Sequence, residues 1–310
     1  MPDELFTLAA ATSGTAPSAP FGRVLTAMIT PMTDDGTVDF DAAAKLADEL
    51  VGAGCDGLVV SGTTGESPTT DDAEKEELLR VVIAAVGSRA KVVAGAGSFD
   101  TAHSVRAAVA AERVGADGLL VVTPYYSKPP QEGLIAHFTA VADATGLPAM
   151  LYDIPGRTAT PIHTETLLQL AEHPRIVGVK DAKGDVFASS EVMARTNLAY
   201  YSGDDALNLT LLAHGAVGMV SVVGHVAAAQ YAEMVRAVDS SDLPRALRLH
   251  RALIPAFRGI MTRAQGAIAA QAALQLQGRL ASRAVRSPLM PADDRIVDLI
   301  RSDLTEAGLV

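Results

Sequence analysis

Short runs of apolar, often β-branched residues recur along the chain, and each ends in Gly, Ser, Thr, Pro or a charged residue. A continuous apolar run of this length is typical of a strand that is buried on both faces, and the polar residues after it mark a loop. The pattern predicts eight strands, at residues 24–30, 57–62, 91–97, 118–124, 148–155, 175–182, 198–205 and 216–223.

Between the predicted strands, Ala, Leu and Val return at the spacing of amphipathic helices. Asp71 with Glu74 three residues later, Asp100 and Thr164 are expected to cap the first turns of three of them. A Gly-containing turn introduces three of the strands, which is weak internal repetition of a βα unit. The clearest helical segments cover residues 41–51, 71–86, 101–114, 131–145, 164–173 and 206–213.

Eight alternating strands and helices predict a parallel sheet, and eight is the number of strands that closes such a sheet into a barrel. We therefore predict a (β/α)8 TIM barrel over residues 21–238, with an open doubly wound sheet as the alternative. After Val238 the pattern is helical only, so residues 239–310 should form an additional C-terminal helical layer outside the barrel. Its helices are predicted at 243–257, 262–276 and 293–307, with breaks at Pro255, Pro288 and Pro291.

Charge and composition narrow the choice of partner and compartment. The net charge of -11 argues against a nucleic-acid or anionic-membrane surface, because such surfaces need clustered Lys and Arg. No apolar run is long enough to span a bilayer, so no membrane role is predicted. Residues 1–20 begin with acidic Asp3 and Glu4 and are expected to form a mobile N-terminal tail. The lone Cys55 cannot form an internal disulfide, so a cytoplasmic location is expected.

Lys180 is the candidate nucleophile. In a barrel of this kind the active site lies at the carboxyl ends of the strands, and Lys180 alone among the lysines follows a fully apolar strand. Desolvation lowers the pKa of a buried amine, and the neutral amine is the form that attacks a carbonyl. A salt bridge to Asp153 or Asp181 is an equally good interpretation from position alone. The other lysines are Lys45, Lys75, Lys91, Lys128 and Lys183.

Other strand ends carry further candidates, each with a plainer interpretation. Tyr152 could pass protons at the barrel mouth or simply pack there, and Arg157 could clamp a carboxylate or cover the surface. The SGTTGES turn at 61–67 suits a carboxylate or phosphate, but without a GK[ST] ending it is not a P-loop. His225 is a possible pocket-lining residue.

Metal and dinucleotide sites are not expected. Seven histidines are scattered without HxH or HExxH spacing, and no GxGxxG motif follows a strand. Asp204 and Asp205 could bind a cation, but Asn208 on a predicted helix start favours helix capping. We therefore predict no metal and no organic cofactor.

Five motifs occur in an order and spacing that resemble the pyruvate-dependent class I aldolase family, which includes N-acetylneuraminate lyase. The likeness is closest to the dihydrodipicolinate synthase branch and runs from about Phe21 to the last predicted helix. One such motif could arise by chance, but five in order on eight βα units could hardly do so. They are GTTGES (62–67), TPYYSKP (123–129), YDIPGR (152–157), GVKDA (178–182) and SGDD (202–205).

The resemblance implies a lyase in which Lys180 forms a Schiff base with pyruvate. The derived enamine would attack L-aspartate 4-semialdehyde, a step of the diaminopimelate route to lysine. Tyr152, Thr64 and Tyr126 match the family's proton relay, in which Tyr126 reaches across a subunit interface. The resemblance thus implies at least a dimer, and a homotetramer built as a dimer of dimers is expected.

The same resemblance assigns binding residues. Thr63 and Thr64 match the residues that hold the pyruvate carboxylate, and Gly203 and Val220 match positions whose backbone shapes the pocket. Arg157 matches the arginine that receives the carboxylate of the semialdehyde. Related lyases of sialic acid or sugar acids generally carry another residue there, so Arg157 favours the synthase branch.

Two rival functions stay open at this point. One is an aldolase or dehydratase of the same family that acts on a keto sugar acid, and the other is a catalytically silent barrel that binds a metabolite or protein. The stretch 68–75 has Asp72 and Lys75 where lysine-inhibited members have histidines. The resemblance therefore does not extend to feedback inhibition by lysine.

Overall fold

Eight parallel strands hydrogen-bond in sequence order, and β1 pairs with β8 to close the ring. The structure is a computed structural model that describes residues 18–310, so the predicted tail lies outside the described residues except for its last three. The predicted barrel is confirmed, and the alternative prediction of an open doubly wound sheet is wrong. The strands are β1 Val24–Ala27, β2 Gly57–Val60, β3 Lys91–Gly95, β4 Gly118–Val122, β5 Ala149–Asp153, β6 Ile176–Asp181, β7 Ala199–Ser202 and β8 Gly218–Ser221.

Each observed strand is shorter than its predicted run, because residues at the carboxyl end of every run, and one or two at the amino end of the last four, lie outside the sheet. A helix follows each strand on the outside of the ring. The barrel helices are α1 Phe40–Gly52, α2 Asp72–Val86, α3 Thr101–Val114, α4 Gln131–Asp143, α5 Pro155–Thr158, α6 Thr164–Leu170, α7 Val186–Arg195, α8 Asn208–Ala213 and α9 Gly224–Asp239.

The end of the chain is helical, with no strand after β8. A single predicted helix over 243–257 is two helices, and a π-helical turn at Arg258–Thr262 leads into the next one. These helices are α10 Leu243–Ala252, α11 Ile254–Phe257, α12 Gly266–Leu276 and α13 Asp294–Glu306. Across residues 18–310, no helix combines the length and apolar content that a membrane crossing requires.

Side-chain caps fix the starts of several helices. Asp71 accepts a hydrogen bond from the Glu74 amide, and Glu74 bonds back to the Asp71 amide, so the predicted capping box at α2 is confirmed. Asp100 caps α3 through the Ala102 amide. Thr164 was expected to cap α6, but it is the first helical residue and His163 takes the cap position without a side-chain bond.

Two apolar clusters make up the core. One fills the barrel interior with side chains such as Leu25, Val59 and Met150, and the other lies between the strands and the helices. Phe21 is fully buried beneath the amino ends of the strands, where it packs beside the ring of Tyr201. Gly118 permits this, because a Cβ there would lie 2.3 Å from the Phe21 ring. Phe21 therefore closes the amino end of the barrel.

Truncation of Phe21 should destabilise the protein strongly. Phe21→Ala removes a ring that nothing else can replace, and we expect a loss of about 3–5 kcal/mol in the free energy of unfolding. Phe187→Ala is the matched control, since that ring is 81% exposed, and should stay within about 0.5 kcal/mol of the parent. Denaturant unfolding of both variants measures the difference. An equal loss in the two variants would contradict the assignment of Phe21 to the core.

Candidate active site

Lys180 and Tyr152 lie side by side at the carboxyl ends of β6 and β5. The two residues pair in register, as do Asp153 and Asp181 just after them. Successive side chains of a strand point to opposite faces, so Lys180 and Tyr152 face the barrel interior while both aspartates face the helices. The Lys180 Nζ lies 4.0 Å from the centre of the Tyr152 ring. The structure thus brings together two residues that the sequence placed at the site.

The ionisation of Lys180 is set by its burial. The side chain is 4% exposed, and desolvation lowers its pKa from 10.5 to about 7. The charge of Asp205 opposes this shift and that of Arg157 adds to it. A large fraction of the amine is therefore neutral near pH 7, which is the state that a nucleophile needs.

The salt-bridge interpretation of Lys180 is wrong. Within residues 18–310 no carboxylate lies within ion-pair distance of its ammonium group, whereas Asp153 is 3.5 Å from the ammonium group of Lys183. Strand alternation explains the outcome, since both candidate aspartates point away from the barrel interior. Asp153 is itself buried, and desolvation raises its pKa to about 6 despite the nearby charge of Lys183.

The sequence predicted Asp204 and Asp205 together as helix caps or cation ligands, but the two residues have different roles in the structure. Asp204 caps the following turn through the Ala206 amide, as expected. Asp205 is buried instead, and its carboxylate accepts hydrogen bonds from the Ser221 hydroxyl and from the amides of Val222 and Val223. It ties the end of β7 to the end of β8. No local sequence signal distinguishes it from a second cap.

A cavity of about 200 Å³ opens at the carboxyl ends of the strands. The rest of the wall is glycine or apolar, and the lining residues with polar side chains are Ser61, Thr63, Ser67, Tyr125, Tyr152, Arg157 and Thr158. This is the usual composition of a small-molecule site. A larger hollow of about 390 Å³ lies between α2 and α3, but its lining includes neither Lys180 nor Tyr152. Tyr152 lines the smaller cavity, and Lys180 lies behind it against the Tyr152 ring without being a lining residue itself. The smaller cavity is therefore the candidate active site.

Residues 61–67, which we call the threonine turn, form one wall of this cavity. Thr63 lines the cavity and Thr64 is buried within the turn. The turn packs closely on β3, because a Cβ at Gly95 would lie 2.2 Å from the Ser61 carbonyl oxygen. Within the turn, the amide of Glu66 donates to the Thr63 carbonyl at 3.2 Å. The backbone around both threonines is thus fixed before any ligand binds.

Gly203 borders Lys180, whereas Val220 is placed only within the barrel interior. A Cβ at Gly203 would lie 2.9 Å from the Lys180 Cγ, so any larger residue there would push the lysine aside. The Gly203 amide also donates to the Asp181 carbonyl at 2.7 Å, which holds the loop after β7 against β6. Val220 lies on β8 and belongs to the buried cluster inside the barrel.

Arg157 lies on the short helix α5, whose first residue is Pro155. Its side chain is exposed and borders the cavity. The amides of Arg157 and Thr158 both donate to the Ile154 carbonyl, at 2.9 and 3.0 Å, which fixes the turn after β5. Arg157 therefore presents a positive charge at the cavity entrance.

Tyr126 and His225 are predicted residues that the structure brings neither to Lys180 nor to the lining of the cavity. Tyr126 is 93% exposed with a φ of 71°, and the structure of one chain does not bring it to Lys180. His225 is fully buried, and it is held by the Ile29 amide, which donates to its Nε2, and by the Val222 carbonyl. Desolvation lowers the pKa of His225 to about 4. His225 is a neutral structural residue that does not line the candidate active-site cavity, so the hypothesis that it lines the active-site pocket is wrong.

Comparison with known proteins identifies the family. The model of the dihydrodipicolinate synthetase family matches residues 20–307. The chain belongs to this family. Two relatives named 4-hydroxy-tetrahydrodipicolinate synthase, from Kineococcus radiotolerans and Streptomyces coelicolor, are 63% and 58% identical to it. Each alignment covers 94% of this chain, and 95% and 97% of the respective relative.

Solved structures of family members show the same architecture. The enzyme from Cyanidioschyzon merolae with lysine bound has a TM-score of 0.91 and 40% identity, covering 94% of this chain and 100% of that one. The chloride-inhibited enzyme from Acinetobacter baumannii complexed with pyruvate has a TM-score of 0.89 and 34% identity, covering 94% and 99%. At these identities the likeness extends from the fold to the family.

The reactivity of Lys180 should rise with pH through a midpoint near 7, because only the neutral amine reacts. Reductive methylation with formaldehyde, a reagent small enough to enter the cavity, and peptide mapping measure this rate without substrate. The peptide that carries the exposed Lys45 is the internal standard for reagent strength. A Lys180 that stays unreactive until the pH approaches 10.5 would contradict the lowered pKa.

Proposed function

We propose that this enzyme condenses pyruvate with L-aspartate 4-semialdehyde, the reaction of a 4-hydroxy-tetrahydrodipicolinate synthase. The observation that carries the proposal is the buried, carboxylate-free Lys180 with its pKa near 7 beside Tyr152. The names of relatives that are more than half identical to the chain support the choice of substrates.

The reaction begins when the neutral Lys180 amine attacks the ketone carbon of pyruvate. Loss of water gives an imine, and loss of a proton from the methyl carbon gives an enamine. The enamine carbon then attacks the aldehyde carbon of the semialdehyde, whose own amine displaces Lys180 and closes the ring. The protonated imine nitrogen accepts the electron pair released by the methyl carbon, so this lyase chemistry needs no metal or organic cofactor.

Proton movement is assigned to Tyr152, Thr64 and Tyr126. Burial raises the pKa of Tyr152 well above its usual value of 10, so its hydroxyl keeps a proton that it can lend at the imine nitrogen. Thr64 is buried in the threonine turn, which forms one wall of the cavity, and would connect Tyr152 to Tyr126. Tyr126 would then exchange protons with the substrate and solvent.

Binding is assigned to the residues around the cavity mouth. Hydroxyl and amide groups of Thr63 and Thr64 would hold the pyruvate carboxylate. Arg157 at the entrance would hold the semialdehyde carboxylate through two parallel hydrogen bonds, for which the planar guanidinium group is suited. Gly203 and Val220 would shape the space around the imine.

The exposure of Tyr126 supports an oligomeric enzyme. Tyr126 is 93% exposed and does not line the cavity of its own chain, so we propose that two protomers complete each other's sites in a homotetramer built as a dimer of dimers. The barrel, residues 21–238, carries the chemistry, and residues 239–310 act as a separate helical region.

A cytoplasmic location is part of the proposal, because the single buried Cys55 requires no oxidising compartment.

Borohydride treatment with pyruvate should leave a reduced pyruvate adduct on Lys180. Intact mass and peptide mapping detect it, Lys180→Ala should abolish it, and Lys45→Ala is the matched lysine control. Aspartate semialdehyde added before the borohydride should react with the enamine, release Lys180 and so prevent formation of the reduced adduct. An adduct that the semialdehyde leaves unchanged would instead indicate an aldolase or dehydratase of a keto sugar acid, and no adduct would indicate a silent barrel.

Tyr126→Phe should lower kcat by about 10²-fold while leaving pyruvate trapping nearly unchanged, because the relay and not binding is lost. Hybrid oligomers test whether Tyr126 acts on a neighbouring chain. Co-expression of Tyr126→Phe with Lys180→Ala should restore activity, since each Lys180→Ala chain lends its Tyr126 to a site with an intact lysine. Hybrids as inactive as the parent variants would remove the proposed role across the interface.

A further inference from the structure

A segment far from the barrel in sequence holds the threonine turn from outside. Residues 280–293, which we call the C-terminal strap, connect α12 to α13 without regular structure. The backbone amide of Arg286 in the strap donates to the Glu66 carboxylate at 2.8 Å. Its guanidinium group donates to the Thr69 carbonyl at 2.9 Å, to the Gly36 carbonyl at 2.8 Å and to both carboxylate oxygens of Glu74.

These contacts fix the whole segment between the turn and α2. Glu74 closes the capping box at the start of α2, and Thr69 lies two residues after the turn. One guanidinium group therefore connects the loop after β1, through Gly36, with the first turn of α2. Arg286 and Glu74 are both mostly shielded from solvent, with about a quarter of each side chain exposed. Their ion pair has two parallel hydrogen bonds, the geometry that restricts both partners most.

Glu66 transfers this restraint to the threonine turn. Its side chain is 2% exposed and bonded to the strap, while its backbone amide donates to the Thr63 carbonyl. Its own carbonyl accepts hydrogen bonds from the Thr69 and Thr70 amides. Burial raises the pKa of Glu66, and the Arg286 amide and charge partly offset this. The second carboxylate oxygen of Glu66 is buried without a hydrogen-bond partner, which costs folding free energy. The role of Glu66 as an anchor for the turn accounts for its presence despite this cost.

The turn needs external support because its backbone is strained at both ends. Ser61 and Glu66 each have a φ of 56°, in the left-handed region that residues other than glycine rarely adopt. On the barrel side, the Thr30 hydroxyl donates to the Gly65 carbonyl at 2.7 Å, and Gln271 of α12 donates to the Thr30 carbonyl. The strap is the second support of the turn, through the Glu66 carboxylate.

We propose that Arg286 and Glu66 are positioning residues for pyruvate: the strap clamps the threonine turn so that Thr63 and Thr64 face the substrate carboxylate. Neither residue lines the cavity, so they act only through the turn. The inference rests on the proposed function and assigns part of the substrate affinity to the C-terminal helical region.

The test compares strap variants in the full-length enzyme by the pyruvate concentration that gives half-maximal borohydride trapping. Arg286→Ala should raise this concentration and the KM for pyruvate about tenfold, because the guanidinium contacts to Gly36, Thr69 and Glu74 are lost even though the backbone bond to Glu66 remains. The maximum extent of trapping and the pH midpoint of Lys180 should not change. Glu66→Leu should have a similar effect. Arg286→Lys should recover most of the affinity for pyruvate, because the lysine ammonium group can still pair with Glu74 and the backbone amide still bonds to Glu66.

Arg283→Ala is the matched control. Arg283 lies in the same strap but donates to the Ala292 carbonyl, Gln275 and Asp294, and none of these belongs to the turn. It should leave half-maximal trapping within about twofold of the parent. A folded Arg286→Ala enzyme that matches this control would overturn the proposal. If Arg286→Ala does not fold, Glu66→Leu and Arg286→Lys decide in the same way.

The outcome separates this inference from the function on which it rests. A parent enzyme that forms no pyruvate adduct contradicts the proposed function. A parent that forms the adduct, with strap variants that all trap pyruvate as the control does, contradicts only the positioning role.

Discussion

The burial of one amine without a counter-ion is the constraint on which the rest of the site depends. A lowering of the Lys180 pKa from 10.5 to about 7 corresponds to roughly 5 kcal/mol against the charged form. The folded state bears this cost in full below about pH 7, and the cost fades as the pH rises towards 10.5. The barrel must therefore be stable enough to hold a group that would prefer water.

Strand register keeps this constraint in place. Lys180 and Tyr152 face inward because Asp181 and Asp153, the next residues, face outward. A shift of one residue would turn the lysine into the helical layer and bring carboxylates to the cavity. Closure of the ring prevents such a shift, since each strand is held by neighbours on both sides. The Asp205 carboxylate adds a further restraint by joining the ends of β7 and β8.

Local pattern was sufficient to predict the strands, most helices and the position of Lys180, because each depends on residues close together in the chain. It could not predict the hydrogen-bond partners of Asp205 and Arg286, because these partners lie on other elements of the fold. Arg286, for example, bonds to Glu66, 220 residues away. The choice between a free Lys180 and a salt bridge also needed the structure, since strand direction decides which aspartates face it. The predicted start of α6 was wrong by one residue. The sequence rule looks for a capping side chain, but the cap position is occupied by His163, whose side chain makes no capping bond.

The closed barrel also divides the molecule into two ends with separate tasks. Phe21 seals the amino end, while the lysine, the cavity and the threonine turn all lie at the carboxyl end. Substitutions at the sealed end can change heat tolerance without reaching the chemistry, and loops at the open end can change substrate preference without loosening the core. Selection, natural or in the laboratory, can therefore adjust durability and specificity as nearly independent properties.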